Sequence, residues 1–284
     1  MQLKMDDIRN ILILGAGTMG IRIGLQAALS GYNVTVYDID DRAFAAAHKI
    51  QPAILKHLEN LGKVTHEQGV EALARIRFTT DAVDAAKDAD LVSESVYEDL
   101  AVKKEVWTKF GQLCPSKTIF TTNTSYMLPS WFAAETGRPE RFCAFHFHDV
   151  FQAVVVDIMP HAGTEPWIVD LLMELGRKLD QVPVFVHKES SGYITNAMLV
   201  ALIGAAGGLL TSGVATFEDI DKSWKGNFGM NGPFEILDKI GLDTAWHVTK
   251  NLPDAKSKKF AELLKTYVDA GKLGVKTKQG FYTY

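Results

Sequence analysis

The sequence predicts an α/β protein with a doubly wound, mostly parallel sheet, followed by a second, all-α domain. Three observations carry that expectation. Short apolar runs of strand character alternate with helical patterns through the first part of the chain, which is the signature of a parallel sheet with helices on both faces. After Ser191-Gly192 the alternation stops, and no convincing strand follows apart from a short extended stretch at Phe281–Tyr284. The chain has 284 residues, 47% hydrophobic and 23% charged, which suffices for one large or two modest domains, each with its own core.

Taken in order, Ile11–Leu14 and Val34–Tyr37 read as short buried strands, with a helix from Met19 to about Ser30 between them. Arg42–Leu61 and His66–Ala74 read as helices. Leu91–Ser95, Thr118–Thr121, Cys143–His146 and Val184–Val186 are further strands, and helices at Val102–Leu113 and Pro166–Lys178 separate some of them. The all-α part holds helices at Tyr193–Thr211, Phe217–Lys222, Pro233–Ile240 and Ser257–Ala270, punctuated at Gly226-Asn227 and Asn231-Gly232-Pro233. The boundary is expected near Lys188, giving domains at 1–187 and 188–284.

Several classes are excluded. A formal net charge of −4 argues against a nucleic-acid binder, which carries a basic excess. Cys114 and Cys143 cannot form a disulfide framework and show no metal-ligand spacing, so no metal is expected and free thiols in a reducing cytoplasm are. The first apolar run is short and lacks a cleavage site, so it does not read as a targeting segment. Ile194–Leu210 approaches the roughly 20 residues that span a bilayer. It carries Asn196, Gly204, Gly207 and Gly208 and lacks basic flanks. It reads instead as a helix buried on most sides, in a core or a subunit interface, and no membrane association is expected.

Gly15-Ala16-Gly17-Thr18-Met19-Gly20 is a G-x-G-x-x-G that directly follows a strand and opens a helix. That context makes it a dinucleotide fingerprint. Gly15 permits the tight turn, Gly17 lets a pyrophosphate approach the backbone, and Gly20 lets the helix pack closely on the strand. The phosphates then sit at the helix N-terminus around Thr18 and Met19, where free N–H groups favour negative charge. Asp38 ends the second strand about 20 residues further on, where a carboxylate accepts hydrogen bonds from the adenosine ribose. It would repel a 2′-phosphate, so the expected cofactor is NAD, and the first domain is Rossmann-like.

The remaining chain resembles the L-3-hydroxyacyl-CoA dehydrogenase family, especially its short bacterial 3-hydroxybutyryl-CoA form. The resemblance rests on blocks in the right order: Leu91 to Leu100, Asn123-Thr124-Ser125, His187 to Asn196, Gly229 to Asp238 (similar to "PMGPFELLD") and Gly271 to Tyr282 (similar to "GxLGxKxGxGFY"). It implies NAD-dependent oxidation of a 3-hydroxyacyl-CoA to the 3-oxoacyl-CoA, or the reverse, and a place in fatty acid metabolism. It also implies a helical second domain that binds substrate and forms a homodimer, with the active site between the domains. By position, Glu98 and Lys103 match residues that contact the cofactor in the family, and Asn123 lies beside the nicotinamide.

Hydride transfer from a secondary alcohol needs a base for the hydroxyl proton, a group to hold that base, and donors for the reacting oxygen. His146 is the base, in a block resembling "GxHFFNP"; a neutral imidazole can both accept and return a proton near neutral pH. The family orients this histidine with a glutamate further along the chain. Here the acid nearest that register is Asp157, inside the apolar run Val154–Ile158. A buried carboxylate needs a partner, which makes Asp157 the expected orienter. Ser125, at a strand end, is expected to donate to the substrate's 3-oxygen. Asn196, an amide on an otherwise apolar helix, is expected to meet the thioester carbonyl.

Two departures bear on the substrate. His148 lies on the same strand face as His146, as a second active-site imidazole, a ligand for a carboxylate or phosphate, or a rim residue. Asp149 stands where the family has asparagine and adds negative charge near the substrate. Two alternatives follow: the same fold acting on a different small hydroxy acid or a carnitine-like alcohol, and a non-catalytic NAD-binding protein. His146, Ser125 and Asn196 together argue against the second.

Overall fold

Asn10–Leu14 forms the central strand, β1, and its alternation explains the layers around it. Ile11 and Ile13 point to one face, into a core with Ile23, Ala27, Phe145 and Phe147. Leu12 and Leu14 point to the other, with Trp107, Phe110, Phe120 and Phe142. A strand covered on both faces must be apolar at every position, which is why β1 reads as a continuous hydrophobic run.

The computed structural model describes residues 2–284. The chain divides into two compact units, one extending to Ile194 and one from Thr195 to Tyr284. The first unit adds β2 (Asn33–Tyr37), β3 (Ile76–Thr79), β4 (Leu91–Glu94), β5 (Ile119–Thr122), β6 (Phe142–Phe147), β7 (Val155–Pro160) and β8 (Val182–Phe185). The sheet order is β3-β2-β1-β4-β5-β6-β7-β8. Strands β1 to β6 run parallel, β7 is antiparallel to β6, and β8 is parallel to β7. Strand order reverses between β1 and β4, so the crevice at their carboxyl ends is where such a sheet places ligands.

Helices α1 (Thr18–Leu29), α2 (Arg42–Asn60), α3 (His66–Ala74), α4 (Ala82–Ala86), α5 (Leu100–Leu113) and α6 (Pro166–Lys178) complete the unit. Asp81 caps α4 and Asp99 caps α5, each accepting from two backbone N–H groups; such a cap stabilises by about 1 kcal/mol. By contrast the N-cap of α1 is Gly17, which has no side chain to cap it. Its first-turn donors are therefore left for a ligand.

The fold class expected from the sequence is the one found, with differences in detail. Strand β3 is short and half-exposed, so it carries little apolar signal. Helix α4 and the helix Leu242–Thr249 of the second unit are too short for a clear period. Strand β7 has its acid at a core-facing position, which breaks the apolar pattern that would mark a strand. The antiparallel pairing sets His146 directly opposite Asp157.

The second unit contains α7 (Thr195–Thr211), α8 (Phe217–Phe228), α9 (Pro233–Ile240), α10 (Leu242–Thr249) and α11 (Ala255–Asp269). Its core gathers Ile203, Phe234, Leu237, Leu242, Phe260, Leu264 and Phe281. Two buried acids tie it together. Asp221 accepts from the N–H groups of Phe234 and Glu235 and from the Tyr282 hydroxyl. Asp238 accepts from the N–H groups of Phe281 and Tyr282. Helix α7 is not buried on most sides within the chain: of its residues only Ile203, Ala206 and Gly207 are buried, and Met198 and Leu209 are exposed. Among the described residues, no helix is long and apolar enough to cross a membrane.

Candidate active site

The cradle at the end of β1 is built from backbone. Gly15 has φ +98°, and a Cβ there would lie 2.7 Å from the Ser95 carbonyl oxygen. A Cβ on Gly20 would sit 2.0 Å from the Gly15 oxygen, so the helix approaches the strand as closely as it does only because that side chain is absent. Gly17 faces open space, next to the uncapped start of α1 that contains Thr18 and Met19. Asp38 follows β2; its Oδ2 accepts from the Ala16 N–H at 2.7 Å and its Oδ1 from the Asp40 N–H at 3.1 Å. The carboxylate thus fixes the glycine turn and still has lone pairs for a ligand. A cavity of about 430 Å³ lies here, walled by Gly15, Gly17, Asp38, Ile39, Val96 and Tyr97 among others. Ile39 and Tyr97 are strongly exposed. An apolar slot with an acid at its base suits an adenine and its ribose, and the open helix start suits a pyrophosphate, so the residues present fit a dinucleotide.

Beside the cradle, β4 and β5 end in a charged network. Lys103 is buried; its ammonium lies 2.6 Å from Glu94 Oε1 and 3.1 Å from Glu98 Oε2. Glu94 also accepts from the Thr122 hydroxyl. Glu98 accepts from the Thr124 hydroxyl and, at 3.2 Å, from the Ser125 N–H. For Lys103 to touch a cofactor one of its carboxylate contacts would have to open, whereas Glu98 is half-exposed. The Asn123 carbonyl oxygen accepts from the Phe147 N–H at 2.7 Å. This leaves the amide NH₂ as its donor and ties the end of β5 to β6.

A cluster of ionisable side chains gathers at the ends of β6 and β7. Ser125 Oγ is 3.2 Å from His146 Nε2, and His146 Nδ1 is 3.3 Å from Asp157 Oδ2. His148 Nε2 is 2.9 Å from that same oxygen. Hydrogen bonds from both rings to one carboxylate oxygen account for the convergence of the three side chains. His146 and Asp157 are almost fully buried, and His148 nearly so. With Nδ1 donating to Asp157, His146 Nε2 is the acceptor, and Ser125 donates to it; this tautomer follows from the network.

Burial is the main cause that takes the His146 pKa below the ordinary imidazole value; the Asp157 hydrogen bond opposes this and the His148 charge adds to it. Burial pushes the Asp157 carboxyl up, but the hydrogen bonds from His146 and His148 outweigh it and the net shift is downward. Asp157 is thus an ionised partner for an imidazole that stays neutral to lower pH than a free one.

Three features were missed in the sequence. The Tyr193 ring stacks on His146, with centroids 4.6 Å apart and planes 17° apart, while its hydroxyl donates to the Thr124 carbonyl at 2.8 Å. One residue therefore braces both the His146 ring and the turn before Ser125. Only its place after Gly192 hinted at this. Glu98 braces the same turn from the other side. Asp149 does not add a free negative charge: Arg22 of α1 donates to its carboxylate at 2.7 Å and to its carbonyl at 3.0 Å. Asn196 lies half-buried on α7 of the second unit.

A buried histidine–carboxylate pair at the carboxyl ends of a doubly wound sheet, with β4 and β5 between it and a dinucleotide cradle, describes an NAD-dependent dehydrogenase. Comparison with known proteins narrows the class. Residues 10–190 match the family model of the 3-hydroxyacyl-CoA dehydrogenase NAD-binding domain, and residues 192–284 match that of its C-terminal domain. A 3-hydroxybutyryl-CoA dehydrogenase from Clostridioides difficile is 34% identical over 96% of this chain and 99% of its own length. A solved (S)-3-hydroxybutyryl-CoA dehydrogenase from Ralstonia eutropha superposes with a TM-score of 0.87 at 32% identity, covering 98% of this chain and 99% of that one. A solved diketoreductase, described as acting on dicarbonyl compounds, superposes with a TM-score of 0.92 at 40% identity over the same shares. The chain belongs to the 3-hydroxyacyl-CoA dehydrogenase family.

Proposed function

We propose that the protein oxidises an L-3-hydroxyacyl-CoA, such as 3-hydroxybutyryl-CoA, to the 3-oxoacyl-CoA with NAD, or catalyses the reverse reduction. The observation that carries this reading is the hydrogen-bonded chain Ser125–His146–Asp157, beside the glycine cradle, in a chain of this family. Gly15, Gly17, Thr18, Met19 and Gly20 would hold the pyrophosphate and Asp38 the ribose; Glu98 and Lys103 are assigned to the cofactor, and Asn123 to the side of the nicotinamide. NAD, when bound, supplies the hydride acceptor. On substrate binding the Ser125 hydroxyl turns from His146 Nε2 to donate to the 3-oxygen; His146 Nε2 then takes the hydroxyl proton, and Asp157 carries the charge that develops on the ring. In reduction the same imidazole returns the proton. Asn196 is assigned to the thioester carbonyl. The test is NADH formation with a panel of 3-hydroxyacyl-CoAs; no turnover with any of them would refute it.

The 40% identity to a diketoreductase favours a second reading, in which the same acid–base group reduces a dicarbonyl compound that is not a CoA thioester. Free dicarbonyls and free hydroxy acids in the same panel separate the two. We further propose a homodimer formed through the second unit, because α7 exposes Met198 and Leu209, and Phe228 and Met230 beyond it are also exposed. Apolar surface of that kind marks an association site. A cytoplasmic setting suits the two buried free thiols. Burial pushes Cys114 up to about 12, so it is a poor nucleophile at neutral pH.

A further inference from the structure

His148 shares the Asp157 carboxylate with His146, and the proposed chemistry does not use it. It follows β6 directly, and its N–H still reaches the Val155 carbonyl, at 3.4 Å, which keeps the extended course and turns its ring to the His146 side. The two ring centroids are 4.7 Å apart. The loop beyond it is pinned by the Arg22 contacts to Asp149 and by the Phe151 ring, which lies under the Arg22 guanidinium at 5.4 Å. Val150 in that loop is buried with φ +91°, a costly conformation for a β-branched residue that the surroundings must enforce.

The His148 contact to Asp157 Oδ2, at 2.9 Å, is shorter than the His146 contact to the same oxygen, at 3.3 Å. One oxygen serves two rings, so both rings must donate: His146 through Nδ1 and His148 through Nε2. A single carboxylate charge compensates one imidazolium, not two. Protons on the two rings are therefore coupled, and each opposes the other.

We propose that His148 is a positioning residue that shares the Asp157 carboxylate with the base, fixing the short acid in place and holding the base in its neutral form. The proposal rests on the reading of His146 as the base. The other groups facing His146 leave this role to His148. Asp157 comes from β7. Glu98, ahead of α5, is committed to Lys103, Thr124 and Ser125. The Tyr193 phenol is pushed well above its usual pKa by burial and stays neutral.

The test replaces His148 by Phe, which removes both the charge and the donor, and by Gln, which keeps a neutral donor. The first readout is the acid limb of the kcat/KM profile for alcohol oxidation. The second is the titration of the His146 ring by NMR, which needs no turnover. H148F frees the whole carboxylate for His146, so the His146 proton affinity rises on the order of tenfold and both readouts move up by about one pH unit. H148Q moves them less in the same direction. A purely structural role would lower kcat without moving the titration. An unchanged or downward-shifted His146 titration in the folded variants would overturn the proposal; if H148F fails to fold, H148Q decides alone. The NMR arm stands whatever the substrate, and full turnover by H146A would refute the base assignment without touching it.

Discussion

Replacing Asp157 by Asn tests the proposed chemistry at its most exposed step. The substitution preserves shape and leaves one carbonyl oxygen to accept from the His146 and His148 rings. It removes the charge that stabilises the imidazolium once His146 has taken the substrate proton. Both side chains are almost fully buried, at 4% and 1% exposure, so solvent screens the lost charge little. A hydrogen bond to a charged group contributes about 1.5–3 kcal/mol and a neutral one about 0.5–1.5. The difference, about 1–2 kcal/mol, predicts a loss in kcat on the order of 5-fold to 30-fold. H146A, which removes the base itself, should lose on the order of 10²–10⁴-fold. The assay is NADH formation at saturating cofactor, with NAD affinity measured separately by titration. Affinity should not change, because the cradle at Gly15–Gly20 and Asp38 makes no contact with Asp157. A D157N enzyme that keeps kcat within about twofold of the parent would refute the assignment of charge stabilisation to Asp157. A loss confined to NAD affinity would refute it equally.

Other outcomes follow from the same geometry. Because His146 titrates below the ordinary imidazole value, oxidation, which needs the neutral ring, should hold as pH falls through 6.5 and fail only at lower pH. Reduction, which needs the protonated ring, should decline as pH rises through that same lower value; a pH-rate profile in each direction checks both. D38A removes the acceptor of the Ala16 N–H and the group that repels a 2′-phosphate. NAD should bind more weakly and the preference over NADP should narrow, read from the two dissociation constants. Y193F leaves the stacked ring but orphans a buried carbonyl at Thr124. It should lower stability by about 1–3 kcal/mol in chemical denaturation. Sedimentation should show a dimer at micromolar concentration, and a monomer would contradict the assembly through α7.

What the sequence made legible, and what it did not, follows from the range of the interactions involved. The glycine cradle and Asp38 are readable because their constraints are local: a turn, a helix start and a strand end within one βαβ unit. The alternation of strands and helices is readable because β1, β4 and β5 are buried on both faces and carry the apolar runs Ile11–Leu14, Leu91-Val92 and Ile119-Phe120. Asp157 was legible as a buried acid that needs a partner. The site residues that went unread act across the fold instead. Arg22 and Asp149 meet from a helix and a loop with β2 to β6 between them in the chain, and nothing near either residue signals the other. Tyr193 lies far along the chain from His146 and joins it only because the segment after β8 returns over the end of β6. Its backbone takes a positive φ of 53° there, a conformation that no residue other than glycine announces in sequence. His148 shows the limit most clearly. Strand periodicity places it on the face of His146, but whether its ring meets substrate, solvent or the carboxylate depends on the antiparallel register of β7. That register opposes His146 to Asp157 and brings the carboxylate within reach of both rings. The choice among the three roles is thus made by strand pairing, which the order of residues in β6 cannot express.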